Sequence, residues 1–153
     1  MKNIMNTSLR LLLIIPISLL FSCASTQQKQ VESGDAEFYN SLGTASAKIG
    51  QYDKAMTYFN KALEISPKNA GYYNNRGMAN MAKGQYDEAI ADFNKALQIN
   101  PMLALAYGNR GRAYYFKKEY DKSWDDVKKV QALGYQIPAE FLDDLRKASG
   151  REK

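Results

Sequence analysis

Histidine is absent from the 153 residues, and cysteine occurs once, at Cys23. These two scarcities remove whole classes of chemistry. A disulfide within the chain is impossible, thiol and imidazole zinc sites lack ligands, and neither Ser–His nor Cys–His catalysis can be assembled. No metal and no cofactor is therefore expected. A basic block of the nucleic-acid-binding kind is missing too, because Lys and Arg are interleaved with Asp and Glu as on a solvated helical surface. Nucleic acid is not an expected partner. Nor is there a long hydrophobic run: the longest, Leu11–Phe21, has 11 residues, where a membrane-crossing helix needs roughly 20.

Lys2 and Arg10 precede that run and Ser22-Cys23 follows it, which is the order of a secretory leader. Leu20-Phe21-Ser22-Cys23 resembles the lipobox of bacterial lipoproteins, whose cysteine thiol is acylated and becomes the first residue after cleavage. The resemblance implies a signal peptide over 1–22, lipidation (palmitate among the acyl chains) at Cys23, and a stable membrane anchor, since two or more acyl chains hold firmly. Ala24, where an Asp would signal inner-membrane retention, implies the outer membrane and a periplasm-facing protein. Loss of Lys2 and Arg10 lowers the formal charge from +5 to +3. Ser25–Gly34 has almost no apolar content and cannot build a core. With Cys23 it is expected to form a flexible tether over 23–35, reaching about 20 Å as a coil.

A repeat of 34 residues fills the remainder. GQYDKAMTYFNKALEISP, from Gly50, aligns without a gap with GQYDEAIADFNKALQINP, from Gly84. A third copy begins near Ala104 with Lys118-Glu119-Tyr120-Asp121 in place of the first four. Each copy holds two helical stretches: Tyr73, Gly77, Asn80 and Met81 share one stripe, and Ala89, Phe93, Ala96 and Leu97 another. Gly84 supplies the turn between them. Asp53, Asp87 and Asp121 are expected to cap the second helices, and Pro67 and Pro101 to stop them. A further amphipathic stretch, with Phe141, Leu142 and Leu145 on one face, follows Pro138.

The pattern resembles the tetratricopeptide repeat. Its positions are occupied by Tyr39, Tyr73 and Tyr107; by Gly43, Gly77 and Gly111; by Tyr52, Tyr86 and Tyr120; by Ala55, Ala89 and Ser123; by Phe59, Phe93 and Val127; by Ala62, Ala96 and Val130; and by Pro67, Pro101 and Tyr135. The resemblance implies an all-α fold, a right-handed superhelical array of three helix-turn-helix repeats over 36–69, 70–103 and 104–137. A C-terminal capping helix over 138–148 and a tail over 149–153 complete the chain. Atypical residues in the last copy suit a terminal repeat.

Arg76 and Arg110 occur just before two of the helix-crossing glycines, and Asp92 and Asp126 follow 16 residues later. Copy one has Leu42 and Tyr58 at these places. The charges appear together and vanish together, so Arg76–Asp92 and Arg110–Asp126 are expected to be structural ion pairs. The family's concave face implies a protein-binding groove of Asn40, Thr44, Lys48, Asn74, Asn75, Met78, Met81, Asn109, Arg112, Tyr115 and Phe116, with Phe116 facing either the groove or the capping helix. Methionines, aromatics and amides there suit an extended or helical polypeptide. Some relatives clamp an acidic C-terminal tail with Lys, Arg and Asn. The corresponding residues here are Glu37, Ser41, Asn75, Leu105 and Asn109, of which Asn75 alone matches.

These residues lead to an expected function: a membrane-anchored, extracytoplasmic scaffold or adaptor that binds another protein and serves cell-envelope assembly. The alternative is a self-associating structural module, a homodimer through Phe38 and Tyr39 of the uncapped first repeat, with no peptide in the groove. An enzyme is not expected, because the acidic residues read as caps and surface pairs rather than as a converging pocket.

Overall fold

The computed structural model describes residues 35–151; the expected leader, Cys23 and all but the last residue of the expected tether lie outside them. Helices α1 (35–48), α2 (Tyr52–Ile65), α3 (Ala70–Ala82), α4 (Tyr86–Ile99), α5 (Ala104–Phe116), α6 (Tyr120–Ala132) and α7 (Ala139–Ser149) follow one another. No strand occurs among the described residues. Odd- and even-numbered helices from α1 to α6 pair through short turns into three helix-turn-helix units.

Each turn is closed in the same way. The N–H groups of Gln51, Gln85 and Glu119 donate to the carbonyls of Ser46, Asn80 and Tyr114, each at 2.9 Å. This six-to-one bond needs a left-handed residue just past the helix. Gly50 and Gly84 supply it with φ 76°, but in the third turn Lys118 adopts φ 62°. A side chain there costs about 1 kcal/mol that glycine avoids.

Within a unit, the two helices approach where the first has glycine. A Cβ on Gly43 would lie 2.6 Å from the Phe59 ring, and one on Gly77 2.7 Å from the Phe93 ring. In the third unit Val127 replaces the ring, so the Gly111 position instead meets the Asp126 Cβ at 3.2 Å. Ser123, where the other units have alanine, uses its buried hydroxyl to donate to the Gly111 carbonyl (2.7 Å). Between units, the second helix of one covers the first helix of the next. Ala62 and Leu63 of α2 bury Tyr72, and Ala55 and Phe59 bury Ala79. Ala96 and Leu97 of α4 bury Ala106, while Ala89, Ile90 and Phe93 bury Ala113.

The aspartates expected to cap α2, α4 and α6 do something else. Gln51, Gln85 and Glu119 occupy the cap positions, without side-chain cap bonds. Asp53, Asp87 and Asp121 lie inside the first turn and pair across to the end of the next unit's first helix. Asp53 pairs with Lys83 and Asp87 with Lys117. Asp121 pairs with Arg151 at 2.7 Å, just beyond α7. They still favour the helix N-terminus electrostatically. Among α2 to α7 the one side-chain cap is Asn69, whose Oδ1 accepts from the N–H groups of Gly71 and Tyr72 on α3.

Helix α7 thus takes the place of a fourth first helix, joined to its neighbour by the same acidic–basic rung. Leu145 is fully buried, and the Trp124 indole N–H donates to the Ser149 hydroxyl (3.1 Å). Asp143, Asp144, Arg146 and Lys147 face water. Replacing Lys118 by glycine should raise stability by about 1 kcal/mol, whereas Gly77→Val should cost about 1–3 kcal/mol through overpacking against Phe93; thermal unfolding followed by circular dichroism checks both.

Candidate functional site

Four asparagines expected to line the groove are spent on joining helices. Asn75 Nδ2 donates to Asn40 Oδ1 (2.9 Å), and Asn109 Nδ2 donates to Asn74 Oδ1 (3.0 Å). Asn74 is buried, and its amide also points at the Met78 sulfur (3.8 Å). Neighbouring first helices are therefore stitched by side-chain amides, which burial obliges to pair. Thr44 turns its hydroxyl back to the Asn40 carbonyl (3.0 Å). Met81 packs into the core around Ala89, Phe93 and Ala113. Lys48 and Met78 are exposed.

The aromatic pair at the end of α5 divides its work. Phe116 lines, beside Tyr115, the cleft between α5 and α7. It stacks on Tyr86 of the preceding turn, with ring centroids 5.3 Å apart and planes at 13°. Tyr115 meets α7 instead, edge-on to Phe141 at 5.7 Å, and also touches Tyr120. Beside it, an open cleft of about 660 Å³ lies between α5, the α6–α7 connection and α7. Leu105, Asn109, Arg112 and Tyr115 line one wall, and Tyr135, Phe141, Glu140 and Asp144 line the other. Arg112 is exposed and forms no ion pair among the described residues. The α7 wall gave no sequence signal beyond an amphipathic stripe.

Both arginine pairs form, and each has a third member. Arg76 holds Asp92 bidentately, Nε to Oδ2 at 2.9 Å and Nη2 to Oδ1 at 2.6 Å. Its Nη1 donates to Asn60 Oδ1 of the preceding unit at 2.8 Å. Arg110 repeats this with Asp126 at 2.9 and 2.6 Å and with Asn94 at 2.6 Å. Asn80 adds a further bond to Asp92 (3.1 Å). Asn60 and Asn94 were not singled out in the sequence, although they too are spaced by one repeat. Copy one lacks the pair, and among the described residues no helix precedes it to supply such an asparagine. Tyr58 and Tyr39 stack there instead, at 6.4 Å.

The electrostatics follow from these partners. The hydrogen bond to Asp92 raises the Arg76 pKa. Burial pushes the Asp126 carboxyl up, and the Arg110 guanidinium pulls it back only in part. Without Arg110 that burial is unopposed. Arg110→Ala should therefore cost about 3–5 kcal/mol, and Arg110→Met with Asp126→Leu much less, as measured by urea denaturation. Tyr72, which donates to Glu37 Oε2 at 3.0 Å, has its pKa raised to about 12, first by burial and then by that carboxylate. The unfolded phenol ionises near pH 10. The stability that the neutral phenol contributes is thus complete below about pH 10 and lost as pH rises towards about 12. Unfolding midpoints measured across that window should fall more steeply for the wild type than for Tyr72→Phe.

Among the described residues no group of three acidic, cysteine or histidine side chains could hold a metal, and no helix is long and apolar enough to cross a membrane. The family model for the tetratricopeptide repeat matches residues 36–69 and 70–103. No curated relative matches the sequence. Among solved structures, the first such domain of Spaghetti (RPAP3), bound to the HSP90 peptide SRMEEVD, is 27% identical with a TM-score of 0.71, covering 77% of this chain and 93% of that one. The OM64 domain of Arabidopsis is 25% identical at 0.67, covering 78% and 95%. The TPR2B domain of yeast Sti1, in complex with pHsp70, is 25% identical at 0.69, covering 77% and 98%. The helix pairs, the glycine–phenylalanine crossings and these matches agree: residues 36–69 and 70–103 are tetratricopeptide repeats in an all-α array.

Proposed function

We propose that this chain is a protein-binding module, not an enzyme, and that it holds a segment of another polypeptide in the cleft between α5 and α7. The observation that carries this reading is the cleft itself, about 660 Å³ and open, with apolar Leu105 and Phe141 beside charged Arg112, Glu140 and Asp144. Concave sites of this size, largely apolar with a few polar groups, are where ligands bind. Peptides held by the Spaghetti domain and its like support a polypeptide occupant. An acidic tail is disfavoured. Glu37 stands at a place that such a clamp would give to a cation, and the amides of Asn75 and Asn109 already donate to neighbouring helices.

The reading extends to the cell envelope through residues outside the described part. Acylation of Cys23 would anchor the module to the outer membrane, facing the periplasm, and its partner would be an envelope-assembly protein. Leu20-Phe21-Ser22-Cys23 is what supports this.

A photo-crosslinking residue at Arg112 of the full chain should trap a discrete partner from membranes, and Leu105→Glu should weaken capture on the order of tenfold. The same probe at Lys95, on exposed α4, should trap little. Equal capture at both places removes the cleft from the reading. A clickable fatty acid should label the wild type and not Cys23→Ala; label on both removes the anchor.

A further inference from the structure

We propose that α1 is a dimerisation helix, through which two copies of this chain pack antiparallel along Phe38, Leu42, Ala45 and Ile49. The inference concerns the end of the array opposite the cleft and does not depend on the cleft's occupant.

The repeat shows what this face is for. One and two periods after Phe38 stand Tyr72 and Ala106, 6% and 0% exposed; after Ala45 stand Ala79 and Ala113, 2% and 0% exposed. The preceding second helix, α2 or α4, covers them. On α1 no such helix precedes among the described residues, and Phe38 is 60% and Ile49 70% exposed. Ala45 is exposed and Leu42 half-buried.

The side chains on the stripe point the same way. An edge meant for water would replace apolar residues with charged ones, as α7 does at the other end. On α1 the substitution runs in reverse. Where the inner repeats have Arg76 and Arg110, α1 has Leu42, and where they have Lys83 and Lys117, it has Ile49. The four residues fall at i, i+4, i+7 and i+11, one continuous seam for a second helix. Large exposed apolar side chains gathered in one stripe mark an interaction surface.

A second copy is the occupant that fits. The segment just before α1, Ser25–Gly34, offers a single apolar side chain, Val31, and cannot supply a matching seam. The helix itself is self-complementary: Asp35 and Glu37 stand at its start and Lys48 at its end. Two-fold packing sets Ile49 across from Phe38 of the second copy and Leu42 across from Ala45. It also brings the Lys48 end of each helix to the acidic start of the other and opposes the helix dipoles.

The test uses the full chain with Cys23→Ala, in a detergent matched in density to the solvent. Sedimentation equilibrium should give a dimer mass that dissociates on dilution. Leu42→Arg with Ile49→Lys, which copies the inner repeats, should leave a monomer at every concentration with unchanged helical circular dichroism. Ala45→Cys on the same background should be joined to a second copy by a short bismaleimide, and Lys95→Cys should not. A monomer at all concentrations, as when Leu11–Phe21 folds back over α1, overturns the proposal. A dimer that survives the double substitution, or that fails to crosslink at position 45, overturns it as well. Changing Leu105 should leave the mass as it was, which separates this result from failure of the cleft.

Discussion

Two helices joined by a tight turn can shield one another along a single face, and the first helix of each unit has two faces to cover. For α3 and α5 the second cover comes from the unit before. Phe59 and Phe93 do both jobs, filling the glycine crossing of their own unit and closing over alanines of the next. Stability is then a property of neighbours rather than of units, as expected of a stacked array. The polar contacts obey the same rule. Amide-to-amide bonds, Asp–Lys rungs and the Asn–Arg–Asp trios each join one unit to the next.

That constraint accounts for the differences among the three copies. Among the described residues no helix precedes the first unit, so the arginine trio would lack its asparagine, and tyrosines stack in its place. In the third unit, valine for phenylalanine opens space at the crossing, and the Ser123 hydroxyl secures the Gly111 carbonyl. Helix α7 then closes the array with Leu145 inward and charges outward. Bending over the end of α5, it also supplies one wall of the cleft.

The sequence revealed the helices readily, because glycine, aromatic and alanine recur at one fixed interval and the interval alone defines the unit. It revealed the arginine–aspartate pairs for the same reason, through their joint absence from the first copy. It misled where a residue's type suits two partners. Asparagine amides serve a peptide or a neighbouring helix equally well, and Asn74, Asn75 and Asn109 serve the helix. An aspartate at a helix start can cap its own backbone or reach a lysine 30 residues on, and only packing of successive units brings that lysine near. Tyr72 was hidden beside Tyr73, since adjacent tyrosines give no clue to which one turns inward. The cleft was legible on the α5 side alone, because its other wall depends on how α7 lies.

The strained backbone at Lys118 has a bearing on how the array comes apart. It coincides with the unit whose crossing lacks a phenylalanine, and with the end closed by α7, the last helix among the described residues. Weakness is thus gathered at the carboxyl-terminal extremity, next to the cleft, while the two tightly crossed units stand behind it. Opening would begin there and travel inward one turn at a time, so the wall that any occupant touches is also the portion of the molecule freest to yield to it.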